Sequence, residues 1–282
     1  MALELDEVGV TVDTWYGSSA SRSFRVGCGV TWRVISASTI GTAHVSNGGH
    51  CQDTCFVDVL FGQDRAPYLV CLVSDGAGSA QFAAQGSDLA CSTAVASIEA
   101  TLQRGDGVRV ADIAEWVIAI QEAVRRAAAA VEATPRDYAC TLVGAVVGTC
   151  NAVFFQIGDG AIVVSNRVAQ GVVFWPEAGP YANMTHFVTD EDALDHLCIE
   201  MASVEVEEIA LFSDGLQRLA LAFDTRLPHH PFFDPMFGVL RSKKLEECEA
   251  VSAQLSKFLS SPQVNERTDD DKTLILATRR TA

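Results

Sequence analysis

The chain has 282 residues, enough for one large domain or two small ones with a sizeable buried core. Hydrophobic residues make up 49% of it and charged residues 20%, which indicates a globular protein and excludes a disordered one. The formal net charge of −16 argues against a partner such as nucleic acid, whose phosphates require a basic face.

The cysteines and the start of the chain predict a reducing, cytoplasmic location. Nine cysteines is an odd number, and most, such as Cys71, Cys140 and Cys150, lie in apolar runs typical of buried thiols. The sequence contains no Cys-x-x-Cys pair of the kind that binds zinc. The first residues are acidic and lack the hydrophobic segment of a secretory signal.

One uncharged stretch, residues 140–158, is nearly long enough to span a bilayer. Gly144, Gly148 and Asn151 interrupt it, and the residues from Gly148 to Asn151 are typical of a hairpin turn. We therefore expect two buried strands and no membrane association.

In chain order, the patterns predict an N-terminal extension at residues 1–27 and a single domain at 28–282. Apolar, β-branched runs and helical periodicity place the elements along this domain. Strands are predicted at 28–38, 54–61, 68–73, 138–147, 152–157, 161–165, 171–175, 208–212 and 272–278, and helices at 80–102, 110–133, 216–223 and 245–259. Many strands followed by pairs of helices favour the α+β class.

Three segments are predicted to be loops. Residues 41–49 are rich in turn formers and carry His44, and residues 176–204 are the least regular part of the chain. The acidic triplet 190–192 in that part is interpreted as a solvated loop more readily than a cation site. Residues 228–231, Pro-His-His-Pro, are interpreted as a stiff surface loop, because no partner with useful spacing supports a zinc site.

Aspartates recur where apolar strands begin or end. Asp75, Asp159 and Asp214 each follow such a strand and precede glycine, and Asp270 shortly precedes another strand. Each Asp-Gly pair alone is compatible with a simple turn. Four carboxylates at strand ends, however, form the oxygen-only ligand set that suits Mg²⁺ or Mn²⁺.

Together with Cys51-Gln52-Asp53, these motifs resemble the metal-dependent serine/threonine phosphatases of the 2C type (PPM family), particularly the compact bacterial branch. The motifs occur in the family's order across residues 33–278. The resemblance implies two antiparallel β-sheets packed as a sandwich and flanked by helices, an α-β-β-α arrangement with its site at one edge.

The resemblance also implies residue roles. Asp75 would bridge two metal ions, the carbonyl of Gly76 would bind one of them, and Asp214 and Asp270 would complete the carboxylate set. Asp53 matches the position that orients a metal-bound water. Asp159 matches a position associated with a weaker third metal.

Three positions depart from the family pattern. Gln52 replaces a common glutamate and removes one negative charge near the metals. His44 stands where many members have a phosphate-holding arginine; Arg33 and Arg22 are alternatives farther from the motif. Gln217-Arg218 follows Asp214 where others place an aspartate, which puts a third metal in doubt.

The predicted activity is hydrolysis of phosphoserine and phosphothreonine on protein substrates by a metal-activated water at a dinuclear Mn²⁺ or Mg²⁺ site. A cognate serine/threonine kinase is the expected counterpart. An inactive phosphoprotein-binding regulatory domain of the same fold, and a phosphatase for small phosphate esters, remain alternatives. A cysteine phosphatase is excluded, because no Cys-x5-Arg loop is present.

Overall fold

The computed structural model describes residues 30–166, 169–176 and 185–281, which form twelve β-strands and seven α-helices. The predicted N-terminal extension and Arg22 lie outside the described residues, so the division into extension and single domain stays a prediction. The strands are β1 (Val30–Thr39), β2 (Thr54–Phe61), β3 (Pro67–Ser74), β4 (Leu142–Val147), β5 (Ala152–Ile157), β6 (Ala161–Ser165), β7 (Gln170–Val172), β8 (Cys198–Ala202), β9 (Glu208–Phe212), β10 (Leu221–Ala222), β11 (Leu227–Pro228) and β12 (Lys272–Thr281). The helices are α1 (Thr42–Ser46), α2 (Ala83–Arg104), α3 (Val110–Ala130), α4 (Gln217–Ala220), α5 (His230–Ser242), α6 (Cys248–Leu259) and α7 (Pro262–Asn265).

Ten of these strands form two five-stranded antiparallel sheets. The first sheet has the order β1-β12-β9-β6-β7, and the second has the order β2-β3-β4-β5-β8. Strands β10 and β11 form a separate hairpin. The two sheets pack face to face with helices outside, so the predicted α+β sandwich is confirmed.

The core has three apolar layers, which explains why the central strands are apolar on both faces. In β3, Val70 and Leu72 face the layer under α2 and α3, while Leu69, Cys71 and Val73 face the layer between the sheets. The third layer lies between the first sheet and helices α5 and α6. Because side chains alternate along a strand, each central strand supplies two layers at once.

A buried carboxylate lies in the first turn of α3. Asp112 is fully buried, accepts the Arg109 N–H at 2.7 Å and pairs with the guanidinium groups of Arg109 and Arg104. The side-chain hydrogen bond from Arg109 is the main cause that lowers the pKa of the Asp112 carboxyl to about 2. This cluster fixes the junction between α2 and α3.

Several predicted elements coincide with observed ones. Strands β2, β5, β6 and β9 have the predicted bounds. The hairpin between β4 and β5 is confirmed, since the Gly148 N–H donates to the Asn151 carbonyl at 2.8 Å. No helix among the described residues is long and apolar enough to cross a membrane.

Some predicted bounds were too long. The strand predicted from residue 138 begins at Leu142, because Pro135–Tyr138 form a 3-10 turn. The strand predicted at 171–175 ends at Val172, and the helix predicted at 216–223 is the single turn of α4.

Three segments that were predicted to be loops or irregular contain regular elements. Residues 41–49 contain the short helix α1, which carries His44. The irregular segment 176–204 contains β8, whose mixed polar sequence suits a sheet edge. Helix α5 begins at His230, because Pro231 fits the first turn of a helix, where its missing N–H costs nothing.

All eight described cysteines are free thiols. Cys71 and Cys140 are buried, as predicted, but Cys150 is exposed in the turn between β4 and β5. The cytoplasmic location inferred from the cysteines stays a prediction.

Candidate active site

The strand-end aspartates gather at one edge of the sandwich. β9 ends beside the start of β12 and the start of β6, because Phe212 pairs with both Leu274 and Ala161. This pairing places Asp214, Asp270 and the turn holding Asp159 at the same end. Asp75 joins them at the end of β3, since charge interactions link its carboxyl to those of Asp214 and Asp270.

Asp53 is almost completely buried beside this group. Its Oδ2 accepts the hydroxyl of Ser213 at 2.7 Å, while its Oδ1 is buried with no hydrogen-bond partner among the described residues. Burial raises the pKa of the Asp53 carboxyl to about 6, although the Ser213 hydroxyl opposes the shift. The free Oδ1 is an acceptor available to a cation or a proton.

Burial and mutual repulsion also disturb Asp75 and Asp214. Burial, followed by the charges of Asp53 and Asp214, raises the pKa of Asp75 well above its usual range. Burial, followed by the charge of Asp159, raises the pKa of Asp214 to about 7. The two carboxyls lie within hydrogen-bonding reach of each other, and Oδ1 of Asp214 is buried without a partner among the described residues.

Gly76 occupies a position that tolerates no side chain. A Cβ atom there would lie 2.6 Å from the Ala83 carbonyl oxygen and 2.9 Å from that of Gln52. The Gly76 N–H donates to the Gln52 carbonyl at 3.2 Å, which ties the turn after β3 to the segment that carries Asp53. Glycine is therefore required by close packing at this turn.

Asp159 is held from two sides. Its Oδ2 accepts the hydroxyl of Thr185 at 2.7 Å, and its backbone carbonyl accepts the side-chain amide of Gln217. Gln217, which departs from the family pattern, thus contacts the neighbouring Asp159 from the turn after Asp214.

His44 lies beside a further carboxylate. Its Nδ1 is 2.9 Å from Oδ1 of Asp271, a contact whose alignment falls short of a hydrogen bond. Arg33 is placed differently: it lies in the middle of β1, opposite Thr278, and its Nε donates to the Lys243 carbonyl. Of the described candidates for a phosphate-holding cation, His44 is the one near the acidic edge.

The acidic triplet and the histidine pair do not form sites in the described residues. Asp190 accepts the Phe187 N–H at 2.8 Å, and Asp192 lies 3.3 Å from Nε2 of His196. His229 and His230 bond in different directions, to the Leu219 carbonyl and towards Asp234.

The donor set at the acidic edge fits a hard cation. Buried oxygens without described partners belong to Asp53, Asp214 and Gln52. Burial first, and the charges of neighbouring carboxylates second, raise the pKa values of Asp53 and Asp214, and a bound cation would relieve both effects. As they stand, no three described His, Cys, Asp or Glu side chains are already arranged to hold a metal ion. We attribute this to the contacts of Asp53 with Ser213, Asp159 with Thr185 and Asp75 with Asp214, which turn carboxylates towards neighbours.

Two residues of the site were missed by sequence reasoning. Ser213 bridges Asp53 and the Thr273 N–H, and Asp271, for which no role was predicted, is 2% exposed and contacts three segments. The signal that could have identified them in the sequence is their position next to Asp214 and Asp270. Most of their partners lie in segments far away in the sequence.

A two-sheet sandwich with an acidic edge is the arrangement that the resemblance to the 2C-type phosphatases predicted. A family model described as protein phosphatase 2C matches residues 40–260. The chain is also 41% identical over 249 residues to serine/threonine-protein phosphatase 3 of Escherichia coli K12, covering 88% of this chain and 98% of that protein. The chain belongs to the protein phosphatase 2C family.

Solved structures confirm the same fold at low sequence identity. A bacterial serine phosphatase has a TM-score of 0.56 at 14% identity, covering 89% of this chain and 99% of that one. Stp1 from Staphylococcus aureus has a TM-score of 0.54 at 14% identity over 92% of this chain and 99% of its own. The catalytic domain of PstP, solved in complex with two manganese ions, has a TM-score of 0.54 at 15% identity over 89% and 99%.

Proposed function

We propose that this phosphatase hydrolyses phosphoserine and phosphothreonine on protein substrates with two divalent cations held at its acidic edge. The observation that carries the proposal is the group of five aspartates at one sandwich edge, with buried oxygens that lack a described partner. The printed name of the E. coli relative supports the phosphoserine and phosphothreonine substrates. The manganese in the PstP structure supports the cation.

The ligands would be Asp75, the carbonyl of Gly76, Asp214 and Asp270, with Asp159 available to a weaker third cation. When bound, divalent cations neutralise charge on a phosphoryl group and lower the pKa of a water molecule. The chain's own residues supply the positioning: Ser213 fixes Asp53 through Oδ2, which leaves Oδ1 free to orient a water or accept its proton.

His44 is proposed to contact the substrate phosphate in place of an arginine. Gln52 keeps a neutral acceptor oxygen near the site, so the second cation should be held less tightly than beside a glutamate. Mg²⁺ loses its waters reluctantly, so this loss should affect Mg²⁺ more than Mn²⁺, and we propose a preference for Mn²⁺. Phosphoproteins and a cognate kinase in the cytoplasm would be the cellular counterparts.

A regulatory domain that binds phosphoproteins without turnover is the second candidate. The neutral Gln52, together with carboxylates engaged by neighbouring groups, favours it. Because the cation site does not specify the rest of the substrate, small phosphate esters remain a third possibility.

Hydrolysis of p-nitrophenyl phosphate and of a phosphothreonine peptide with Mn²⁺, Mg²⁺ or a chelator tests these alternatives. We expect activity with Mn²⁺, none with chelator, and a loss of at least about 100-fold (about 3 kcal/mol) in Asp75→Asn, since the cations would supply most of the catalysis. Activity undiminished by exhaustive chelation would exclude the metal-dependent mechanism. Phosphopeptide binding without any turnover would favour the regulatory domain.

A further inference from the structure

We propose that Asp271 is a positioning residue for the active site: its buried carboxylate fixes Asp270, the segment that leads into Asp53, and His44 relative to one another. The inference rests on the proposed function, because it concerns how that site is held together. Asp271 itself has no predicted role as a metal ligand.

The contacts of Asp271 converge from three segments. Its Oδ2 accepts the Gln52 N–H at 2.6 Å, and its Oδ1 accepts the Gly41 N–H at 2.6 Å. The same Oδ1 lies 2.9 Å from Nδ1 of His44. With the side chain 2% exposed, water cannot replace these contacts. Short hydrogen bonds to an ionised carboxylate are among the stronger ones in proteins.

The contacts reach the candidate catalytic groups directly. Gln52 immediately precedes Asp53, so the bond to its N–H sets the position from which the Asp53 side chain leaves the backbone. The backbone N–H of Asp271 donates to Oδ1 of Asp270 at 2.8 Å, so a carboxylate that fixes this backbone also orients that candidate ligand. A Cβ on Gly41 would lie 2.3 Å from the backbone carbon of Asp270, so the two segments are also in close packing contact.

The same carboxylate selects one form of the His44 ring. A carboxylate only accepts hydrogen bonds and is negatively charged, so a ring nitrogen 2.9 Å away is more stable with a hydrogen than with a lone pair, although the contact is not aligned as a hydrogen bond. We therefore expect a hydrogen on Nδ1, and Nε2 is the ring nitrogen farther from Asp271. This is the atom through which His44 would meet a substrate.

An asparagine at position 271 cannot maintain this arrangement. Its amide has one accepting oxygen and one donating nitrogen, while the Gly41 and Gln52 backbones present N–H donors to both sides of the carboxylate. At least one backbone contact must be lost. Partners behind metal ligands typically change metal affinity by about 10–100-fold when altered.

The test compares Asp271→Asn with Asp269→Asn in the full chain. Asp269 is exposed two residues away, and its side chain makes no hydrogen bond to the described residues, so the control removes the same charge. Mn²⁺ affinity is measured by calorimetry, the His44 ring form by ¹⁵N NMR, and kcat and KM with a phosphothreonine peptide. We expect Asp271→Asn to weaken Mn²⁺ binding by about tenfold or more, lose the Nδ1–H signal of His44 and raise KM, with the control unchanged.

Unchanged Mn²⁺ affinity and an unchanged His44 ring in Asp271→Asn would overturn the proposal. If that variant does not fold, the wild type still decides: a His44 ring without a hydrogen on Nδ1 overturns it, and an Nδ1–H signal supports it. Failure of the proposed function gives a different result from failure of this proposal. An inactive wild type whose Mn²⁺ affinity and His44 signal still depend on Asp271 would refute the phosphatase activity and retain the role of Asp271.

Discussion

Neutralising one of the crowded carboxylates should stabilise the folded protein when no metal is present. Asp214 is the clearest case, because burial and the charge of Asp159 raise its carboxyl pKa from 3.8 to about 7. An acid with a raised folded-state pKa binds more protons when folded, so its ionisation destabilises the fold as pH rises. Asp214→Asn removes that destabilisation.

The magnitude follows from the size of the shift. About three pKa units correspond to about 4 kcal/mol at about 1.4 kcal/mol per unit, as an upper bound at pH 8. Asp75 and Asp159 take part in the same repulsion, and their interactions change when Asp214 is replaced. We therefore expect Asp214→Asn to raise the free energy of unfolding by about 2 kcal/mol. At pH 5 the folded Asp214 is largely protonated but the unfolded one is ionised, so about two fifths of the gain should remain, and it should vanish only below about pH 4.

Urea unfolding in a chelating buffer at pH 8 and pH 5 measures this gain. Asp224→Asn is the control, because Asp224 is exposed on the β10–β11 turn and the substitution changes net charge equally. With Mn²⁺ added, the wild type should gain stability and Asp214→Asn should gain much less. An Asp214→Asn variant no more stable than the wild type at pH 8 without metal would refute the reasoning.

Three further predictions test the site and its scaffold. Gln52→Glu should lower the Mg²⁺ concentration needed for half-maximal activity, and identical metal titrations would place Gln52 outside the metal site. His44→Ala should raise KM for a phosphopeptide more than it lowers kcat, whereas unchanged kinetics would reduce His44 to a structural residue. Asp112→Asn should destabilise the fold by about 1–2 kcal/mol after allowance for its half-exposed arginine partners. Because the Asp112 pKa is lowered to about 2, this difference should be complete above about pH 4 and shrink as pH falls towards 2 in urea titrations.

Local sequence was sufficient where an element depends mainly on its own pattern. The apolar runs of β5 and β9 are buried throughout, so their composition alone indicated strands with correct bounds. The Asp-Gly pairs indicated the acidic edge because each follows such a strand. That the four aspartates lie together follows from antiparallel pairing, which the family resemblance supplied and local patterns did not.

Elements that depend on tertiary contacts were missed. α5 contains Pro235 and begins within the Pro-His-His-Pro segment 228–231, yet it forms because Phe233 and Phe237 pack under the first sheet. β8 is an edge strand with little apolar alternation. Asp271 looked like one aspartate in a run of three, and its importance comes from backbone N–H groups about 220 residues earlier in the chain.

The pairing of β1 with β12 has a consequence for how the protein is made. These neighbouring strands are joined by contacts between residues 233 positions apart, such as Thr39 and Lys272. At roughly 5–20 residues per second, the ribosome needs on the order of 10–50 s to deliver the second strand after the first. Until then β1 lacks its partner in the first sheet, β9 has only β6 of its two partners, and Asp270 and Asp271 are absent. The nascent chain should therefore remain without phosphatase activity, and vulnerable to wrong strand pairing, until β12 has left the ribosome.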